Sequence, residues 1–203
     1  MEDVLEVYQR QYEEDEVLVC MDETSKQHTK ETRIPLPTRP GEPERFDFEY
    51  ERNGVSNLFM VFAPFEGWRH VKVTDRHTKV DWAELIKELV DVHFPLKKII
   101  LVMDNLNTHK LGSLYAAFEP AEARRIADRL EIHYTPKHGS WLDMAEIEIG
   151  VLSRQCLDRR LPDQETLKRE IHAWQNTRNQ KAVRVDWRFT TEDARTKLKS
   201  LYP

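Results

Sequence analysis

Lys97-Lys98-Ile99-Ile100-Leu101-Val102-Met103-Asp104-Asn105 decides the reading of this chain. Five apolar residues, two Ile and a Val among them, run unbroken and stop at a carboxylate. A run of that length and branching predicts a strand buried on both faces. Asp104 then stands where the strand leaves the sheet, the carboxyl edge at which open α/β folds do their chemistry. Val17-Leu18-Val19-Cys20-Met21 repeats the design and runs into Asp22. A third acidic group follows the turn Thr135-Pro136-Lys137-His138-Gly139-Ser140: Trp141-Leu142-Asp143-Met144-Ala145-Glu146-Ile147-Glu148 reads as the start of a helix. Two strand-end aspartates and a helix-borne glutamate suggest three carboxylates gathered at one sheet edge, and with them a divalent-metal site.

At 203 residues, 33% of them charged, the chain reads as one domain, or one domain with an appendage. No run of eighteen apolar residues and no charged-then-apolar leader is present, so no membrane association is expected. Cys20 and Cys156 fit neither a disulfide framework nor a CxxC zinc pattern, which makes a reducing cytoplasm the default. The net charge of −5 hides an asymmetry. Residues 1–16 carry −6, whereas residues 151–203 carry +5. A basic tail beside an acidic face is compatible with DNA, although charged surface helices are usually only solvated.

Along the chain, residues 1–16 read as a surface helix or a linker. Val17–Met21 is the first strand. Residues 24–54, with four prolines and balanced charge, read as a long irregular loop. Asn57–Ala63 and Trp68–Thr74 predict a hairpin. Asp81–Val92 has helical spacing and is ended by Phe94-Pro95. Helices are expected over Leu111–Phe118 and Ala121–Leu130, the second opened by Pro120. A short strand at Ile132–Tyr134 and helices over Met144–Leu157 and Gln164–Asn179 complete the order. Three consecutive strands followed by alternating helix and strand is the RNase H-like layout: α/β, a mixed five-stranded sheet flanked by helices. The expected divisions are a linker or helix at 1–16, the RNase H-like unit at 17–160 and a helical extension of it at 161–203.

Phosphodiester transfer needs the attacked phosphate neutralised and both the entering and leaving oxygens stabilised. Two Mg²⁺ (or Mn²⁺) ions about 3.5–4 Å apart do this. Such hard cations take oxygen ligands, a few carboxylates with water and phosphate completing the shell. Asp22, Asp104 and Glu146 therefore suffice, with Asp22 expected to bridge both ions and the other two holding one each. Singly, each acid has an ordinary structural explanation: a turn or cap for the aspartates, a favourable helix-dipole position for Glu146. Asp143, one turn from Glu146, and Glu148, directed elsewhere, compete with it. The strand–strand–helix order of the triplet is what favours chemistry. Near them in sequence, Lys26, Asn105, Asn107, His109, Lys137, His138, Ser140 and Trp141 form a candidate DNA-contacting set. Trp141 could stack on a base, but a core position is favoured for it.

Five segments together, CMDETSKQ (20–27), NLFMVFAPFEGWRHVKVTDRHTKVDWAELIKELVD (57–91), LVMDNLNTHK (101–110), YTPKHGSWLDMAEIEIGVLSRQCLDRR (134–160) and VDWRFTTEDARTKLKSLYP (185–203), resemble the DDE catalytic domain of bacterial insertion-sequence transposases of the mariner-like superfamily. The resemblance spans nearly the whole chain. It implies Asp22, Asp104 and Glu146 as the three acids, Mg²⁺ or Mn²⁺ as cofactor, and nicking at transposon ends followed by attack of the freed 3′-hydroxyl on target DNA, at TA. It further implies a homodimer and a helix-turn-helix DNA-reading region on a separate or missing segment. Three departures stand out: Asp143 where Asn is usual, Gly150 where a larger residue is usual, and 41 residues between Asp104 and Glu146. Two other readings compete: a non-catalytic truncated or domesticated fragment that binds DNA or a transposase partner, and a metal phosphohydrolase of another α/β class. The latter leaves the helix-borne Glu146 unexplained.

Overall fold

The computed structural model describes residues 1–43, 45, 47–137 and 139–202, and for Ser140 and Leu201 the backbone only. Five strands form one mixed sheet in the order β3-β2-β1-β4-β5. They are β1 (Glu16–Glu31), β2 (Tyr50–Ala63), β3 (Trp68–Thr74), β4 (Lys98–Met103) and β5 (Leu130–Tyr134). β1, β2 and β3 pair antiparallel, whereas β4 lies parallel to β1 and β5 parallel to β4. The central run is thus a buried parallel strand with neighbours on both sides, as its unbroken apolar sequence requires.

The strands divide their side chains between two cores by strict alternation. Leu18 and Cys20 of β1, Ile100 and Val102 of β4 and Leu58, Met60 and Phe62 of β2 face one core. Val17, Val19, Met21, Ile99, Leu101, Met103, Phe59 and Val61 face the other. The first core is covered by α1 (Glu2–Gln9), α5 (Met144–Leu152), α6 (Gln164–Gln180) and α7 (Thr191–Lys197), and the second by α2 (Lys79–Glu88), α3 (Leu111–Ala117) and α4 (Pro120–Ala127). Local sequence fixes the ends of these helices. Thr78 with Asp81 and Thr190 with Asp193 form capping boxes. Pro120 opens α4. α2 and α5 each run into a wider π-helical turn, Leu89–His93 and Ser153–Leu157. Among the described residues, no helix is long and apolar enough to cross a membrane.

Two expectations need correcting. The acidic N-terminal stretch holds the expected helix, α1, but one face of it is docked: Val4, Leu5, Val7 and Tyr8 are buried in the first core, while residues 9–11 and 13–15 stay exposed. Residues 24–54 are not one irregular loop. β1 and β2 run on as a two-stranded arm to the pair Glu31↔Tyr50, with a register irregularity between Gln27 and Thr29. Beyond it, two isolated bridges, Leu36↔Arg45 and Arg39↔Glu42, span the tip. The arm is built mostly of polar and charged residues, His28 and Ser56 among them although both are buried, so its strands left no hydrophobic period to read.

Candidate active site

The last parallel pair between β1 and β4 is Met21↔Met103. Asp22 and Asp104 are each the next residue, on neighbouring strands spaced about 4.8 Å apart. β1 does not stop at Asp22; what ends there is its pairing with β4, since Asp22 itself is paired with Met60 of β2. Within β1, Asp22 continues the series Leu18, Cys20 and so belongs to the side covered by α5. Asp104 is the first residue beyond β4. Glu146 lies in the first turn of α5 and is exposed.

The start of α5 is held firmly. The Asp143 Oδ1 accepts the Ala145 N–H at 2.8 Å as N-cap. The Tyr8 hydroxyl donates to the Leu142 carbonyl at 2.6 Å, so α1 braces the turn before α5. Three bases of repulsion meet at Asp22: burial pushes its pKa up to about 6, and the negative charges of Asp104, Glu146 and Glu23 add to the shift, against the Glu23 N–H that it accepts at 2.7 Å. Burial likewise holds Asp143 well above the carboxylate range, reinforced by Asp22, Asp104 and Glu146. Four carboxyls therefore share one electrostatic neighbourhood. Among the described residues, neither Asp22 nor Glu146 has a salt bridge to Lys or Arg. An all-oxygen donor set, mutually repulsive and lacking a paired side-chain cation at those two residues, fits a hard divalent ion such as Mg²⁺ or Mn²⁺.

His109 is the residue whose role the sequence hid. It stands in the candidate DNA-contacting set, yet its side chain is fully buried. Its Nδ1 meets Asp104 Oδ1 at 2.6 Å and its Nε2 lies 3.8 Å from Glu23 Oε2. Burial works against its charged form, but the two carboxylates outweigh it and raise its pKa to about 9. The ring stacks on Trp82 at 6.1 Å and the Tyr134 hydroxyl donates to the His109 carbonyl. His109 thus orients Asp104 from the α2 side of the sheet. The signal was parity: Glu23 follows Asp22 by one residue and so points to the opposite face, where an acid needs a partner.

The remaining candidates divide. Asn105, Asn107 and Lys137 are exposed near this edge. Lys26 is occupied, donating to the Leu157 carbonyl at 2.6 Å and closing the C-terminal end of the π-helical turn. Trp141, favoured above as core, is 38% exposed and packs edge-on against Phe189 at 5.6 Å. His138 and the side chain of Ser140 lie outside the described residues. Glu148 is directed away from the acids, as expected, and is buried between Arg69 and Arg178. At Gly150, a Cβ would meet nothing nearer than the Arg154 guanidinium at 3.4 Å, so the departure there leaves a tolerant surface.

A family profile described as DDE superfamily endonuclease matches residues 17–168, three-quarters of the chain. The chain belongs to that family. The DDE superfamily fold is seen again in solved structures. The Mos1 mariner paired-end complex with Mn aligns at TM-score 0.59 and 13% identity, over 90% of this chain and 55% of that one. The Mos1 transposase paired-end complex with left transposon end gives 0.58 and 13%, over 90% and 60%. The Mos1 strand transfer complex gives 0.57 and 14%, over 90% and 58%. At such identity the likeness is one of fold, and it bears out the RNase H-like mixed sheet flanked by helices. This DDE superfamily chain spans little more than half the length of those proteins. No curated protein sequence matches it.

Proposed function

We propose that this chain is the catalytic domain of a DNA transposase that performs metal-dependent strand cleavage and strand transfer. Asp22, Asp104 and Glu146 are its catalytic carboxylates and would hold Mg²⁺ or Mn²⁺. Bound there, two such ions would neutralise the attacked phosphate and stabilise the entering and leaving oxygens. The chain's own contribution is placement. β1 and β4 hold two acids side by side, α5 carries the third over them, and His109 fixes the orientation of Asp104. Exposed Asn105, Asn107, Lys137 and Trp141 offer polar and aromatic contacts to DNA at that edge. Transposon ends and target DNA as substrates, a dimer on paired ends and a helix-turn-helix reading region elsewhere belong to the same reading. The Mos1 structures are described as complexes with transposon ends, one with Mn and another with Mg, which is in keeping with it.

One observation supports this reading most: Asp22 and Asp104 each directly follow the last β1–β4 pair, Met21↔Met103, and Glu146 in the first turn of α5 is near enough for its charge to act on Asp22. The test is nicking of supercoiled plasmid in Mn²⁺. The wild-type chain should convert it to open circle, and Asp104→Asn should slow that by at least about 100-fold, the loss of a few kcal/mol of charge stabilisation. Equal nicking by both, or no nicking by a chain that still binds DNA, would favour the non-catalytic fragment. Turnover of small phosphoesters without DNA cleavage would favour the phosphohydrolase.

A further inference from the structure

A second cluster of metal-binding side chains lies on the other face of the sheet. His70 is on the edge strand β3, Glu88 ends α2, and His93 ends the π-helical turn that follows. His70 Nε2 is 3.2 Å from Glu88 Oε1, and His93 Nε2 is 3.4 Å from the same oxygen. One donor atom from each of the three residues lies within 4.8 Å of the others. Both Nε2 atoms are buried and, among the described residues, neither makes a hydrogen bond. Two imidazole nitrogens converge on one carboxylate oxygen at ion-pair distance without a well-formed hydrogen bond, so their donor capacity is left under-satisfied.

The spacing suits an ion. Donors at 2.0–2.1 Å from a tetrahedral Zn²⁺ stand roughly 3.3 Å apart, the separation seen on two edges of this triangle. Glu88 and His93 are five residues apart, which on a regular helix would put them about 140° around the axis from each other. The π-helical turn Leu89–His93, closed by the Phe94 N–H to the Leu89 carbonyl at 2.8 Å, brings them to one side. Such turns recur at functional sites. Lys72 donates to Glu88 Oε2 at 2.8 Å, orienting the carboxylate and leaving Oε1 for the centre. Trp68 packs against both rings, with centroids 6.2 and 4.8 Å away. The three ligand residues are each only partly exposed, so the centre is sheltered.

We propose that His70, Glu88 and His93 bind one Zn²⁺, or a similar borderline first-row divalent ion, with water in the fourth position. Two nitrogens and one carboxylate select against Mg²⁺. The ion would clip the edge strand β3 to the end of α2, on the face opposite Asp22 and Glu146. It is independent of the function proposed above.

The test is calorimetric titration of the chelator-stripped chain with Zn²⁺, repeated in Asp104→Asn, His70→Gln, His93→Gln and Glu88→Gln. One site is expected in the wild type and in Asp104→Asn, weakened at least tenfold in each of the other three. Zn²⁺ should also raise the Tm of the wild type but not that of His93→Gln, and Co²⁺ should quench Trp68 fluorescence, lost in Trp68→Phe. The Co²⁺ experiment needs no histidine variant, so it stands if one of those fails to fold. Absence of Zn²⁺ binding, binding that survives the folded His70, Glu88 and His93 variants, or binding lost in Asp104→Asn would overturn the proposal.

Discussion

Asp143 has one carboxyl oxygen capping α5 and the other buried without a hydrogen-bond partner among the described residues. Its pKa is raised in the folded protein. As pH climbs past the ordinary aspartate value of about 3.9 the unfolded chain ionises first, so this group subtracts stability over that window and beyond. Asparagine keeps the cap and removes the proton equilibrium. Asp143→Asn should therefore raise Tm at pH 7 in EDTA, a gain of about 1–3 kcal/mol, and the gain should vanish as pH falls toward 4. A gain independent of pH would show that burial of the charge is not its cause. His109 gives a second residue-scale prediction. Removing the group that orients a metal-ligating carboxylate typically costs about 10–100-fold in metal affinity. His109→Ala should weaken Mn²⁺ binding by that factor, measured by calorimetry, with DNA affinity in the absence of metal unchanged.

α5 serves two tasks from two faces. Glu146 stands at the site, while Glu148 is buried, accepting from Arg178 Nε at 2.7 Å and facing Arg69 Nε at 2.9 Å. Arg69 also donates to the Gly67 and Val183 carbonyls, so this one carboxylate ties α5, β3 and α6 together. Glu148→Gln leaves buried guanidinium charge uncompensated and should cost about 3–5 kcal/mol in urea unfolding; a loss below 1 kcal/mol would mean that the ion pair is not what fixes the helix. Which of these elements could be read beforehand follows from their burial. The strands Trp68–Thr74 and 98–103 and the amphipathic helices announce themselves because one face or both are dry. The distal arm does not, being mostly polar and charged. Of the candidate site, Asp104 was legible as a strand-end residue and Glu146 as a helix-start residue, whereas Asp22, read as a strand end, lies within the longer β1. His109 was not, because a polar loop residue folded back under the sheet looks in sequence like any other polar loop residue. Trp141 misled in the opposite direction, since an aromatic ring can find cover against a single neighbour, Phe189, and still stay partly exposed.

Across the whole molecule, the sheet separates the two proposed sites: the acids on the α5 side, the histidine pair and Glu88 on the α2 side. The arm extends from neither. Its base is anchored, with the Thr29 N–H donating to the Leu161 carbonyl and the Asn53 side chain to the Pro162 carbonyl. Replacing residues 34–47 with two glycines spares those anchors and the Arg160 contacts to Glu31, Phe48 and Glu49. Mn²⁺ affinity should then remain within about twofold and Tm within about 2–4 °C, the equivalent of 1 kcal/mol in a chain of this size. A larger drop in affinity would mean that the tip reaches back to the acids. The irregularity between Gln27 and Thr29 gives this tolerance its mechanical basis, because it lies downstream of Asp22. Like an expansion joint, it lets the outer ribbon change length or phase while the inner part of β1 keeps step with β4. A peptide tag spliced between Arg39 and Glu42 could then tether the protein to a sensor chip by a point remote from the β1–β4 pairing.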